Sequence, residues 1–195
     1  MKLSIRFTLA LASVVAGLLV PGAQVASAQD VYKVNYFSNN IGSAPDATVR
    51  IDNPGLTYGN LCAMIYVFAA DQQMAECCGC VQSHNNLNTY SVYNNLASPN
   101  LTLTAAAVPS GVIKIVSAPY PGYCDPANSY TPVPNLRAWV THVQYHGGSS
   151  YSITETEFSD SKLGPTELAS LQAQCGFIGI LGSGFGICSC GDYAD

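Results

Sequence analysis

The cysteines offer the most chemistry in this 195-residue chain, and their spacing is uneven. Two of them stand in Cys78-Gly79-Cys80 and two in Cys188-Ser189-Cys190. The full set is Cys62, Cys77, Cys78, Cys80, Cys124, Cys175, Cys188 and Cys190. An even number of cysteines predicts four disulfides in an exported chain, whereas the same pattern in a reducing compartment would predict a metal or redox site.

Strand geometry narrows the many pairings that eight cysteines allow. Side chains alternate along an extended strand, which sends Cys78 and Cys80 to one face and Cys77 to the other. Cys188 and Cys190 share a face in the same way. We therefore expect the pair at 78 and 80 to lie near the pair at 188 and 190, which would tie the C-terminal tail to an early hairpin.

A thiolate metal site is the alternative, since two Cys-x-Cys pairs could bind Zn²⁺ or Cu(I). However, paired ligands of structural zinc sites are usually about two to four residues apart, and no histidine accompanies either pair. Cys77 and Cys80 have the outer spacing of a thioredoxin-like redox motif, but they lie in strand-like sequence and open no helix. The pattern favours disulfides, and we predict no metal and no cofactor.

The histidines and carboxylates form no clear catalytic pattern. His142 and His146 lie in a strand-like segment, where four residues of strand separate them by ~13 Å, too far to share one metal ion. Glu155 and Glu157 share a strand face at ~6.6 Å, a spacing that overlaps the carboxylate separations of glycosidases. They alternate with serine and threonine, which is typical of a solvated face. We therefore predict no catalytic residue.

The segment at 117–135 has the composition of a binding loop. It carries five of the eleven prolines, three tyrosines and Cys124. Long irregular loops in compact domains are often functional, and a disulfide at Cys124 would hold this one in place. Tyr120, Tyr123 and Tyr130 could then present flat apolar faces to a sugar ring or to another protein. The alternative is that the prolines stiffen a connection and the tyrosines pack against it.

The elements that must position these residues are mostly strands. Segments rich in β-branched and aromatic residues are bounded by turn-forming Asn, Pro and Gly. The predicted strands are Val31–Phe37, Ala47–Ile51, Leu61–Ala69, Leu87–Tyr93, Leu101–Ala107, Val112–Ser117, Leu136–Tyr145 and Tyr151–Phe158. Short strands at this spacing predict a mostly β fold, a disulfide-stabilised β-sandwich of immunoglobulin-like or similar type. Leu61–Ala69 is apolar on both faces, which predicts a central strand of the core.

One helix is predicted near the C-terminus. Pro165 suits its first turn, and Leu171 and Cys175 share one face. Gly176 is the predicted cap. The helix and the cysteine-rich tail, at about 161–195, therefore form an appendage to the sandwich.

The N-terminus predicts export. Two basic residues precede the apolar run Phe7–Val20, and Ala26-Ser27-Ala28 provides a small-residue cleavage site. The run has 14 residues, fewer than the ~20 that span a bilayer as a helix. We therefore expect a signal peptide at 1–28, cleavage between Ala28 and Gln29, and a single domain at 29–195 with no membrane anchor.

The net charge of the chain argues against nucleic acid as a partner. Removal of the signal peptide would leave five basic residues against twelve acidic ones, a formal net charge of −7. The five cations are scattered along the chain and form no basic patch. Nucleic acid is therefore not expected as a partner.

Three parts of the chain resemble a set of uncharacterised exported bacterial proteins rich in cysteine. The first is Leu61–Phe68, the second is Cys77–Cys80, and the third combines Cys175–Ile178 with Gly186–Cys190. The resemblance spans most of the chain after the signal peptide. It implies export and a shared cysteine framework, and it brings no activity, cofactor or catalytic residue.

The sequence thus predicts a non-enzymatic structural or binding module that works outside the cytoplasm, either in the periplasm or beyond the cell. Its ligand would be an extracellular carbohydrate or protein. One alternative is a secreted hydrolase of extracellular polymers, in which Glu155, Glu157 or Asp125 meets a histidine from elsewhere in the fold. The other is a thiolate metal-binding protein.

Overall fold

A computed structural model describes residues 30–38, 45–56, 58–97 and 108–191. The predicted signal peptide with its cleavage site at Ala28 and Gln29, and the predicted strand at Leu101–Ala107, lie outside the described residues.

Nine described strands form two antiparallel sheets, which confirms the predicted β-sandwich. The five-stranded sheet has the order β4-β3-β6-β1-β9, and the four-stranded sheet has the order β5-β2-β7-β8. The strands are β1 (Tyr32–Ser38), β2 (Thr48–Asn53), β3 (Leu61–Ala69), β4 (Met74–Gln82), β5 (Asn86–Ser91), β6 (Ser110–Pro119), β7 (Arg137–Gly147), β8 (Ser150–Glu157) and β9 (Ser159–Asp160).

The main core lies between the two sheets because their inner faces carry alternating apolar side chains. Val49 and Ile51 from the four-stranded sheet meet Ile65 and Ile113 from the five-stranded sheet, and all four are fully buried. The prediction that Leu61–Ala69 is a central strand covered on both faces is confirmed, since β3 lies between β4 and β6 and its first seven residues are all buried.

A helix, α1 (Pro165–Leu181), covers part of the outer face of the five-stranded sheet and forms a second core there. Leu171, Cys175 and Ile178 are its buried residues. Glu167 in its first turn accepts a hydrogen bond of 2.6 Å from Lys114 and one of 3.0 Å from Tyr32. The hydrogen bond from Lys114 is the main reason why the pKa of Glu167 is lowered.

The predicted end of this helix at Gly176 is wrong. The helix continues to Leu181 and ends at Gly182, which has the left-handed φ of 60° that suits a glycine cap. Gly176 and Gly179 are interior positions, each costing about 1 kcal/mol relative to alanine. Burial of Ile178, which follows Gly176, offsets this cost because it extends the second core by one turn.

Two further differences from the sequence prediction concern β4 and the end of β5. Met74–Gln82 is a full strand, although only its cysteines were expected to be extended. The predicted strand Leu87–Tyr93 ends at Ser91, and Val92–Leu96 forms a π-helical turn. The Ser91 hydroxyl accepts a hydrogen bond of 2.7 Å from the Asn94 amide, which draws the chain out of the sheet. Within the described ranges, no helix has both the length and the apolarity to cross a membrane.

Candidate binding surface

All eight cysteines are paired, and every disulfide begins in the hairpin formed by β3 and β4. The four disulfides are Cys62–Cys124, Cys77–Cys175, Cys78–Cys188 and Cys80–Cys190. The last two join the two Cys-x-Cys elements in parallel, which is the juxtaposition that alternation along the strands predicted. The first joins the proline-rich loop to β3, as expected if a disulfide holds that loop in place.

Strand β4 is cross-linked on both of its faces. Cys77 points into the second core, where it bonds to the helix at Cys175, whereas Cys78 and Cys80 belong to the core between the sheets. The tail runs beside β4, since the Cys77 amide donates to the Gly186 carbonyl at 2.9 Å and the Cys188 amide donates to the Cys77 carbonyl at 3.2 Å. Loop, helix and tail are therefore all fixed to one hairpin.

These three segments border an open cavity of about 540 Å³. The loop contributes 123–127, the helix contributes Gly176, Gly179 and Ile180, and the tail contributes Ile187. Six of the disulfide-bonded cysteines also line it, namely Cys77, Cys78, Cys124, Cys175, Cys188 and Cys190. The disulfides are thus part of the cavity wall as well as of the scaffold.

Large apolar side chains are exposed at this cavity and beside it, since Tyr123, Ile180 and Ile187 line it while the others lie on the same helix and tail. Ile180 is 85% exposed, Tyr123 is 63% exposed and Phe177 is 61% exposed. We call the set the apolar surface, which comprises Tyr123, Phe177, Ile180, Leu181, Phe185 and Ile187. Phe177, Ile180 and Leu181 share one side of α1, opposite the buried side, because they are three and four residues apart. Exposed apolar clusters of this kind mark interaction sites more often than single exposed residues do.

Comparison with known proteins gives no information on what this surface binds. No protein-family model, curated protein or solved structure matches the chain. What the surface binds therefore has to be inferred from the chemistry of its own side chains.

The structure separates the three tyrosines that the sequence grouped as a binding loop. Tyr123 is exposed at the cavity, and Tyr120 is partly exposed, with its hydroxyl donating to the Gly122 carbonyl at 2.5 Å. Tyr130 packs against the second core, and its hydroxyl lies 2.9 Å from that of Tyr66. Burial raises the pKa of Tyr130 to about 12. Only part of the tyrosine set is therefore available to a ligand.

Asp125 is the one carboxylate among the residues that line the cavity, and its oxygens are already engaged. It accepts hydrogen bonds from the Ala127 amide at 2.9 Å and from the Asn128 side chain at 2.7 Å. This is the pattern of a turn-stabilising aspartate.

The groups considered for a hydrolase do not meet among the described residues. His142 is buried, 2.7 Å from the Thr156 hydroxyl and stacked on Tyr36, and burial lowers the pKa of its imidazole. Glu155 pairs across β8 and β7 with Thr141, so it points to the opposite face from His142. Exposed His146 instead lies 2.6 Å from the hydroxyl of Ser152 in the neighbouring strand.

Glu155 and Glu157 lie on the outer face of the four-stranded sheet, where Glu155 forms an ion pair with Arg50. Asp125 lies in the loop beside the five-stranded sheet. The carboxylates are therefore divided between two separate parts of the molecule.

The alternative of a thiolate metal site requires cysteines that are not bonded in disulfides. The sulfur atoms of Cys78, Cys80 and Cys190 lie within 4.8 Å of one another, close enough to hold one metal ion. All three are bonded in disulfides, and a metal site needs them as thiolates. The oxidised protein therefore has no thiolate ligand to offer.

Sequence reasoning missed most of the apolar surface. The glycine-rich run after Cys175 was expected to lie beyond the helix, and its large apolar residues were not assigned a role. A sequence signal was present, since Phe177, Ile180 and Leu181 fall outside the stripe that contains Leu171 and Cys175.

Proposed function

We propose that the protein is an extracytoplasmic binding module that docks an apolar segment of another protein on the apolar surface. Four disulfides indicate an oxidising environment outside the cytoplasm. The predicted cleavage after Ala28 provides the route of export.

The observation that carries this proposal is that every wall of the cavity is fixed by a disulfide to the same hairpin. The loop is fixed through Cys124, the helix through Cys175, and the tail through Cys188 and Cys190. A surface that is held in place before binding loses less conformational entropy when a ligand arrives. Rigid, exposed apolar side chains that do not contribute to the core are therefore best explained by a partner.

The chemistry of the lining favours a protein segment over a sugar. A sugar needs several hydrogen-bonding groups around an aromatic ring, whereas the exposed side chains here are almost all aliphatic or aromatic. The carboxylate of Asp125 is occupied by its own turn. Leucine, isoleucine or phenylalanine side chains of a partner would bury apolar area against Ile180 and Phe177 at about 25 cal/mol per Å².

Site-specific photocrosslinking tests the proposal. A benzophenone amino acid is placed at Ile180 in the disulfide-bonded protein, and at Ile153 in a matched control, since Ile153 is also apolar and exposed but lies on β8. Each protein is irradiated with the extracellular and envelope proteins of the source cells, and the cross-linked peptides are identified by mass spectrometry.

We expect an adduct at position 180 whose cross-linked peptide is an apolar segment of a different protein. Unlabelled wild type and the Ile153→Asp variant should compete for this adduct, whereas Ile180→Asp should not. The proposal is wrong if position 153 gives the same adducts, if Ile180→Asp competes as well as wild type, or if the partner is a second copy of this chain.

A further inference from the structure

A second arrangement of side chains lies on the outer face of the four-stranded sheet, whose strands contain none of the disulfide-bonded cysteines. Strand register places Thr89, Arg50, Trp139 and Glu157 side by side across all four strands. Trp139 is the only tryptophan in the chain. One row thus sets an indole between a guanidinium and a carboxylate.

Alternation along the strands shows that this row faces outward. Val49, Ile51, Ala138 and Val140 are fully buried in the core between the sheets, so their neighbours point the other way. The helix α1 packs on the other sheet. Among the described residues, therefore, the face that contains Trp139 is not covered by another element.

A depression of about 310 Å³ lies on this face. Its lining consists of Arg50, Asp52, Leu87, Trp139 and Glu155. These residues combine an indole with a guanidinium and two carboxylates, whereas the apolar surface offers almost no free polar groups. The two surfaces are therefore suited to different ligands.

We propose that this face binds a neutral carbohydrate, with one sugar ring lying against Trp139. A sugar ring presents C–H groups to an aromatic face and hydroxyls around its edge, which matches an indole flanked by polar groups. Arg50 is paired with Glu155, but its guanidinium has five N–H donors and retains some for a ligand. Glu157 supplies an acceptor for sugar hydroxyls on the other side of the indole.

Charge decides between neutral and charged sugars. The cross-strand positions around Trp139 hold Arg50 and Arg137 against the three carboxylates of Asp52, Glu155 and Glu157. This excess of carboxylates, on a chain that is acidic as a whole, repels uronic acids, sulfates and phosphates. An uncharged sugar avoids this repulsion and still uses the hydrogen-bonding groups.

Because Trp139 is the only tryptophan, its fluorescence reports on this face alone. The disulfide-bonded protein is titrated with neutral oligosaccharides of glucose, xylose, mannose, galactose and N-acetylglucosamine, and with polygalacturonate and oligolysine for comparison. We expect at least one neutral oligosaccharide to change the emission saturably and to protect Trp139 from acrylamide quenching. Polygalacturonate should do neither.

Substitutions test whether the change in tryptophan emission comes from a sugar bound at the row of Arg50, Trp139 and Glu157. Glu157→Gln should weaken binding about tenfold or more, because it removes a charged acceptor. Trp139→Phe, followed by calorimetry, should weaken binding similarly, while Ile180→Asp should leave it unchanged. Thermal unfolding of each variant shows that the fold is retained.

The proposal is overturned if no neutral oligosaccharide changes the emission, if only oligolysine does so, or if Glu157→Gln and Trp139→Phe bind as tightly as wild type. Loss of binding in Ile180→Asp would also overturn it, because that variant changes only the apolar surface. The failure of this site is therefore distinguishable from the failure of the protein-docking function.

Discussion

Glu76 lies on β4 with its carboxyl group fully buried, and neither oxygen has a hydrogen-bond partner among the described residues. Val67 is its cross-strand partner, which places it on the face of β4 that also carries Cys78 and Cys80. Burial raises the pKa of Glu76 to about 8. The carboxyl group is therefore mostly protonated, and uncharged, at neutral pH in the folded protein.

This burial predicts that the protein is more stable in mild acid than at neutral pH. Between the ordinary value of 4.5 and the folded value of about 8, the folded chain holds one more proton than the unfolded chain. The free energy of unfolding therefore falls as pH rises, by about 1.4 kcal/mol per pH unit from this group. Chemical denaturation at pH 5 and pH 7.5 should show a loss of about 3 kcal/mol from this group, which the opposite contribution of His142, whose pKa is lowered, partly reduces.

The Glu76→Gln variant isolates this effect because glutamine does not ionise. We expect its free energy of unfolding not to fall over the same pH range, because the lowered pKa of His142 makes stability rise with pH there, and to exceed that of wild type at pH 7.5. The matched control is Glu155→Gln, which changes an exposed carboxylate. A slope in Glu76→Gln equal to that of wild type would show that another group causes the pH dependence.

Gly79 allows the proline-rich loop to approach β4. A Cβ atom at this position would lie 2.4 Å from the carbonyl oxygen and 2.6 Å from the carbonyl carbon of Cys124, and backbone cannot move aside as a side chain can. Gly79→Ala should therefore displace the loop and lower the free energy of unfolding by about 1–3 kcal/mol. Gly164→Ala is the control, because no atom lies within 4 Å of its added methyl group. Equal stability of the two variants in denaturant titrations would refute this role of Gly79.

Among the elements, the helix α1 is stabilised more by its disulfide and its packing than by the helix propensity of its own residues. It contains two interior glycines, and its N-cap residue, Gly164, has no side chain to accept a hydrogen bond from the first turn. Cys77–Cys175 closes a loop of 98 residues in sequence. The disulfide and the packing of Leu171 and Ile178 therefore hold the helix on the sheet.

Removal of this disulfide should loosen the helix selectively. Cys77→Ala with Cys175→Ala is expected to lower the free energy of unfolding by about 2–5 kcal/mol and to increase amide hydrogen exchange throughout α1. The matched variant Cys62→Ala with Cys124→Ala should increase exchange in the proline-rich loop instead. Unchanged protection of α1 in the first variant would mean that packing alone fixes the helix.

The elements that the sequence predicts well are those with one dominant pattern. Continuous apolarity gave β3 its correct bounds, and alternation along the strands gave the juxtaposition of the two Cys-x-Cys elements, although the individual disulfides Cys78–Cys188 and Cys80–Cys190 came only from the structure. The last third of α1 was missed because local glycine propensity opposes helix there, while a tertiary contact at Ile178 decides the outcome. The apolar surface was missed for a related reason, since apolar residues are expected to be buried and these are exposed.

At the scale of the whole molecule, the two proposed surfaces belong to different sheets. The apolar surface surrounds the edge of the five-stranded sheet at β4, and the row that contains Trp139 lies on the outer face of the four-stranded sheet. The core between the sheets separates them. A protein with this arrangement could hold a carbohydrate and a protein partner at the same time without either blocking the other.

Export and full oxidation are properties of the whole chain, and intact mass tests both. We expect the exported protein to begin at Gln29 and to weigh eight hydrogen atoms less than its reduced form, one for each cysteine in the four disulfides. Iodoacetamide should not react with the denatured protein until a reductant is added, after which it should add to all eight cysteines. Because disulfides hold the loop, helix and tail in place, the reduced protein should also lose the photocrosslinked adduct at position 180.

A retained N-terminal segment would refute the predicted cleavage. Free thiols or a bound metal in the native mass would instead support the thiolate alternative, because the parallel Cys-x-Cys elements would then be a metal site.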